Sequence, residues 1–157
     1  MEENVTVSEN LNLIYLIKQL ESGLRRPFMA TIQEHGMSGA QYTALTVLDR
    51  LPGLTSSELA RRSFVRAQTM AQTLAPLIEA DLVRREVDPE HARQILLFIT
   101  PEGRERVRAM RVDVQEIEDR LTAEMDDGQA EQLETLLRLA RHGLRSAEVG
   151  DRRRDPR

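Results

Sequence analysis

Cysteine is absent from the 157 residues, which excludes disulfides, thiolate metal ligands and cysteine-based redox sensing. Tryptophan is absent too, and two tyrosines and three phenylalanines are too few for a platform on which single-stranded bases stack. His35, His91 and His142 lie far apart with no His-x-x-x-His or Glu-x-x-His spacing, so no metal site is expected. Neither a phosphate-cradling glycine loop nor a nucleophile and base arrangement occurs, so no catalytic residue and no cofactor are expected either. No apolar run approaches the roughly 18 residues that cross a bilayer. The first ten residues are acidic and polar rather than a basic signal region. The expectation is a cytoplasmic protein with no membrane association. Lysine is nearly missing as well: Lys18 is the sole one, and the arginine that replaces it reads as compositional bias of the source genome.

The length is that of one ordinary domain, or one domain with dimerising extensions. A net charge of −4, from 22 basic and 26 acidic side chains, would by itself argue against nucleic acid. Its distribution argues otherwise. Between residues 61 and 85, five arginines (Arg61, Arg62, Arg66, Arg84 and Arg85) face only Glu79 and Asp81, while both flanks are net acidic.

The apolar spacing predicts a first helix from Ser8 to about Glu34, with Leu13, Ile17, Leu20, Leu24, Phe28 and Ile32 on one stripe. Ile14, Tyr15 and Leu16 widen the stripe beyond what one neighbour covers, which points to a partner chain. Pro27 should kink or split this helix. Ser38 with Gln41, and Thr55 with Glu58, are capping boxes that open a second helix and a short third one ending near Ser63. A fourth helix is expected from about Arg66 to Ala80, burying Met70, Leu74 and Leu77, with a distortion at Pro76. Residues 82–87 and 94–99 read as a hairpin, because Ile95, Leu97 and Ile99 alternate at period two. Thr100 and Pro101 then launch a long helix whose Val107, Met110, Val114, Ile117 and Leu121 form a narrow coiled-coil-like seam. After Asp126-Asp127-Gly128 a last helix carries Leu133, Leu136, Leu137, Ala140 and Leu144.

The expected fold class is therefore mainly α (α+β), a winged helix-turn-helix with long N- and C-terminal dimerisation helices and a two-stranded wing. Residues 8–34 and 101–148 form the expected helical dimerisation region, residues 38–100 the DNA-binding lobe, and residues 149–157 a disordered tail. The reading helix must expose short polar side chains near its N-terminus. Arg66, Ala67, Gln68, Thr69, Gln72 and Thr73 supply them: arginine pairs with guanine, glutamine with adenine, and alanine or threonine touches a thymine methyl. An ordinary solvated helix face would carry the same residue types.

The runs Leu59-Ala60-Arg61-Arg62, Val65-Arg66-Ala67-Gln68-Thr69-Met70, Asp81-Leu82-Val83-Arg84-Arg85 and Ile99-Thr100-Pro101-Glu102-Gly103, with Asp88-Pro89 and Arg93 between them, resemble the multiple antibiotic resistance regulator (MarR) family. The resemblance covers Leu11 to Leu144. It implies a homodimeric transcription factor on double-stranded DNA, with interlocked terminal helices, the helix from Arg66 in the major groove, and Arg93 at the wing tip entering the minor groove. Asp88 matches the aspartate that supports the wing, by pairing with Arg93 or a backbone group. Four positions depart from the pattern: His91-Ala92 replaces Asp-Arg in the wing, Phe64 stands at a turn position that often carries glycine, and Asp81 replaces another glycine. Aspartate tolerates the left-handed backbone better than most residues.

Family members commonly release DNA when a small aromatic or phenolic molecule binds. Tyr15, Arg25, His35, Tyr42 and Arg111 are the candidate ligand contacts here. Each has a structural alternative, tyrosine at a core edge or His35 as a helix cap. The leading expectation is a ligand-relieved repressor on a pseudo-palindromic operator; the alternative is a constitutive DNA-binding or architectural protein without an effector.

Overall fold

The computed structural model describes residues 12–151, with side chains described as far as residue 144. Among these, six helices and one two-stranded sheet follow in the order α1 (Leu13–Glu34), α2 (Gly39–Arg50), α3 (Ser56–Arg62), α4 (Ala67–Glu79), β1 (Val83–Val87), β2 (Ile95–Ile99), α5 (Pro101–Leu121) and α6 (Asp127–Asp151). This is the mainly α, winged helix-turn-helix architecture that the residue pattern predicts. The chain divides into two compact units, up to Ile117 and from Glu118 onward.

In the first unit the helix starts are set locally. Ser38 Oγ accepts the Gln41 N–H at 3.1 Å while Gln41 Oε1 accepts the Ser38 N–H at 2.8 Å. Thr55 and Glu58 repeat the device at α3. Such reciprocal bonds satisfy amide donors that a helix start leaves open, and each cap typically contributes about 1 kcal/mol. Three helix ends share another motif. After α1, α3 and α4, the residues Gly36, Phe64 and Asp81 take φ of +68°, +56° and +55°. In each case the next amide reaches back five residues: Met37 to the Ile32 carbonyl, Val65 to Ala60, and Leu82 to Leu77. These are Schellman closures, which satisfy terminal carbonyls by turning one residue left-handed.

β1 and β2 pair antiparallel in the register Val83↔Ile99 to Val87↔Ile95. Leu54 adds a single bridge to Leu97 on the outer side of β2, so the loop after α2 is stitched to the wing's base. Only Leu97 and Ile99 of the alternating β2 row are buried; Ile95, near the tip, is exposed. Thr100 joins the wing to α5: its hydroxyl donates to the Asp81 carbonyl at 2.7 Å and accepts the Gly103 N–H at 3.0 Å. Gly103 packs against the Leu82 carbonyl and the Ile99 side chain.

The core gathers Leu45, Leu48, Leu59, Met70, Leu77 and Val83 with residues from both ends of the unit. Ile32 of α1 and Val107, Met110 and Val114 of α5 belong to the same cluster, and Phe28 packs against it. The core thus runs past the boundary expected at residue 100, and the first half of the α5 seam is used inside the chain. His35, the C-cap of α1, reinforces this with Nε2 2.6 Å from Asp113 Oδ2 of α5.

Neither proline ends its helix. Pro27 lies inside an α1 that is not split, and α4 continues through Pro76. An interior proline costs about 3 kcal/mol. Burial of Ile32 beyond Pro27, and of Leu74 and Leu77 around Pro76, holds the chain helical across each site. The start expected at Ser8 falls on residues outside those described.

The second unit is built on α6. Asp126 caps it, with Oδ1 accepting the Gln129 N–H at 2.8 Å and its own N–H donating to Gln129 Oε1 at 3.0 Å. Leu136, Leu137, Leu139 and Leu144 are exposed along it. The helix passes through Gly150 to Asp151, into the first residues of the tail expected from 149. A lone glycine weakens a helix by about 1 kcal/mol without ending it. Residues 152–157 lie outside those described.

Candidate nucleic-acid interface

α4 is held by its rear face. Met70, Leu74 and Leu77 are buried against the core, which leaves the opposite side of the helix open along its length. Ala67, Gln68, Thr69 and Gln72 are exposed there, and Arg66, the N-cap, is exposed with no side-chain capping bond. Five of the six residues expected to read DNA thus share accessible ground at or near the helix start.

Thr73 does not. It is 8% exposed, and its hydroxyl donates to the Thr69 carbonyl one turn back at 2.8 Å. A residue three positions after Met70 falls on the same side of the helix, so the core claims it, and its one polar group is satisfied internally. Thr73 is therefore corrected from base-reading candidate to packing residue. Ala71 and Ala75, which the sequence reading passed over, are exposed in its place. Helical spacing from Ala67 (67, 71, 75) was the signal that could have found them.

Positive charge surrounds α4. Arg61 and Arg62 are exposed in the last turn of α3, where cations also complement the helix dipole. Between them and Arg66 lies Phe64, 60% exposed. On the wing, Arg84 stands over the Phe98 ring at 4.8 Å and pairs with Glu86, while Arg85 is exposed. The Glu58 carboxyl at the start of α3 is held below its ordinary value, first by the Thr55 N–H, then by the Thr55 hydroxyl, with Arg61 and Arg62 adding attraction.

Asp88 organises the wing tip through the backbone. Its Oδ1 accepts the Glu90 N–H at 2.9 Å, its own N–H donates to the Gln94 carbonyl at 3.0 Å, and Oδ2 stands 3.4 Å from His91 Nδ1. Of the two supports considered for Asp88, the backbone group is the one found, and His91 adds a contact from the position where the sequence departs from the family pattern. Arg93 is exposed at the tip. It lines an open groove of about 540 Å³ together with Gln94, Ile95 and the first residues of α3, including Ser56 and Ser57.

The five ligand-contact candidates each have a partner inside the chain. Tyr15 Oη accepts from Gln19 Nε2 at 3.1 Å, and Arg25 pairs with Glu21 at 2.6 Å, both on the exposed surface of α1. His35 is engaged by Asp113, Tyr42 packs edge-on against Phe28 with ring centroids 5.4 Å apart, and Arg111 lies 3.8 Å from Asp49. Tyr15 and Arg25 are separated along α1 by about 15 Å, from the 1.5 Å rise per residue. Among the described residues no group of three or more acidic or histidine side chains could hold a metal ion, and no helix is long and apolar enough to cross a membrane.

Comparison with known proteins places this geometry. A family model described as "MarR family" matches residues 35–94, which span α2, α3, α4, β1 and the wing tip and stop just before β2. The HTH-type transcriptional repressor Rv2887 of Mycobacterium tuberculosis is 26% identical over 131 residues, covering 83% of this chain and 94% of the relative. An uncharacterised HTH-type transcriptional regulator of Staphylococcus aureus, SAV2265, is 29% identical over 105 residues, covering 67% of this chain and 72% of the relative. Rv2887 has been solved in complex with DNA (TM-score 0.68, 26% identity, 82% of this chain and 97% of that one). It has also been solved with salicylic acid (TM-score 0.68, 25% identity, 85% and 99%). The apo structure of MarR from E. coli shares the fold at TM-score 0.72 and 22% identity, over 84% of this chain and 98% of that one.

Proposed function

We propose that this chain, whose residues 35–94 match the MarR family model, is a MarR-family protein, a homodimeric transcriptional repressor that binds a pseudo-palindromic operator and is released by a small aromatic or phenolic effector. One observation carries the DNA-binding part. α4 buries one face in the core and presents Arg66, Gln68 and Gln72 on the other, beside a short α3 that ends in two exposed arginines. Such a helix enters the major groove with its N-terminal residues at base edges. Arg93, at the wing tip, then reaches the adjacent minor groove, whose negative potential attracts an arginine. Asp88 sets the shape of that tip.

Dimerisation is supported by unused apolar surface. Leu13, Ile14, Leu16, Ile17 and Leu20 of α1 are exposed, as are Leu136, Leu137, Leu139 and Leu144 of α6. Full burial of one such side chain is worth about 1.5–3 kcal/mol, so the two rows together drive association. A dimer presents two copies of α4 to half-sites about one helical turn, roughly 10 bp, apart.

Release by an effector rests on the salicylic acid complex of Rv2887. A ligand that prefers the DNA-free form stabilises it and lowers operator affinity by linkage. The test is a titration of salicylate and p-aminosalicylate against the full chain and against its complex with a DNA site recovered by selection. A rise in Tm together with weaker DNA binding is the expected result. Site-specific DNA binding that none of a panel of aromatic acids alters would leave a constitutive DNA-binding protein. Loss of the Arg66 or Gln72 side chain without change in site preference would place the reading face elsewhere.

A further inference from the structure

The exposed face of α4 is chemically uniform. From Ala67 to Ala75, about two and a half turns, its accessible side chains are three alanines, two glutamines and one threonine. Helical spacing resolves them into rows. Gln68, Gln72 and Ala75 stand opposite the buried Met70, Thr73 and Leu77, while Ala67 and Ala71 form the flank beside Gln68. No carboxylate lies in this stretch, and the nearest one on the helix is Glu79, about three turns from the start. Within α4 and its N-cap the sole guanidinium is that of Arg66, at the N-cap.

Each base-pair edge asks for different chemistry. Cytosine offers an amino group to a carboxylate, and guanine offers two acceptors to arginine or lysine. Adenine takes the paired donor and acceptor of a carboxamide, and thymine offers a methyl group to alanine or threonine. From Ala67 to Ala75 the face holds the second pair of partners and lacks the first. The alanines add a steric consequence: with methyl groups in place of long side chains, the helix axis can sit close enough to the groove floor for the Gln68 and Gln72 amides to reach base edges.

We propose that the half-site read by α4 is built on A·T base pairs, with adenines met by Gln68 and Gln72 and thymine methyls met by Ala67, Ala71 and Ala75, and with a single G·C pair at the end facing Arg66. This rests on α4 being the reading helix and goes beyond it, assigning Ala71 and Ala75 as specificity residues and fixing the composition of the site.

Selection of the full-length protein against a random duplex pool tests both levels separately. The expected product is a dyad whose half-sites are A·T over the inner positions and G·C at one outer position. Gln68→Ala and Gln72→Ala should each remove the A·T preference at one position, a loss of roughly 5- to 150-fold in discrimination there. Ala71→Leu should weaken binding to every sequence without changing Tm, because the added bulk lifts the helix off the groove while Ala71 is exposed in the free protein. A dyad with G·C-rich half-sites would overturn the proposal while leaving α4 as the reading helix. Enrichment of no site, with wild type and variants binding all sequences alike, would overturn both. An A·T-rich site that survives all three substitutions unchanged would also overturn it, since another element would then be doing the reading.

Discussion

Phe64 and Asp81 close two successive helices with the same backbone, φ +56° and +55°, in two copies of one turn. The conformations match but their costs do not. A left-handed backbone is mild for aspartate and strained for a bulky aromatic residue, by about 1–3 kcal/mol. Phe64→Gly is therefore expected to raise stability by about 1 kcal/mol, net of the extra chain entropy glycine brings to the unfolded state. Asp81→Gly should change it by less than half as much. Chemical denaturation of the two variants beside wild type checks the ranking; equal effects would remove the strain assigned to Phe64.

Gly103 is confined for a different reason. A Cβ there would collide with the Leu82 carbonyl oxygen and stand 2.7 Å from Ile99 Cγ1, where neither backbone nor a buried side chain can yield. Gly103→Ala should destabilise the first unit by about 2 kcal/mol or more despite alanine's better helix propensity, the overpacking cost exceeding the propensity gain of about 1 kcal/mol. Gly23→Ala is the control, because a Cβ there meets nothing within 4 Å, and it should be neutral or stabilising. Thermal unfolding of both variants separates sterics from propensity.

Acid should loosen the start of α3 through Glu58. Its carboxyl is held below the ordinary 4.5 by the Thr55 N–H and hydroxyl and by Arg61 and Arg62. A depressed folded-state pKa means the stabilisation is fully present above 4.5, and is lost as pH falls through the lower, folded value. Stability should therefore decline more steeply below pH 4.5 in wild type than in Glu58→Gln, whose amide retains an acceptor for the Thr55 N–H but does not titrate in this range. Parallel pH profiles for the two proteins would refute the assignment.

A charge placed in the apolar row of α1 should separate subunits without unfolding them. Leu16 is 46% exposed in the single chain, so Leu16→Asp costs the isolated fold little. In the proposed dimer the same carboxylate would be buried without a partner, a penalty of several kcal/mol. Sedimentation should show a monomer with unchanged helix content and operator binding weakened at least tenfold. A dimer that persists would place the interface elsewhere.

Helix starts were legible because their determinants are local. Ser38 with Gln41 and Thr55 with Glu58 act across three residues, so the pattern contains both halves of each bond. The wing was legible for a similar reason, since period-two alternation in residues 95–99 marks the face that Leu97 and Ile99 bury. In the interface the residue types and the helix were legible, and Arg66, Gln68 and Gln72 emerge exposed as expected. Thr73 was not, because its polarity suggested exposure and only its position behind Met70, against the packed core, sends it inward.

The absence of cysteine, the order of elements and the cluster of arginines between residues 61 and 85 were determined by the sequence alone, since composition and short-range periodicity need no knowledge of distant neighbours. The tertiary structure decided what depends on residues far apart in the chain. It brought His35 to Asp113 across 78 positions, enlisted Val107 and Met110 of α5 in the same core as α2, α3 and α4, and carried α1 through Pro27 by burying Ile32. Those outcomes follow from long-range packing, whose energies outweigh the local preferences that a linear pattern records.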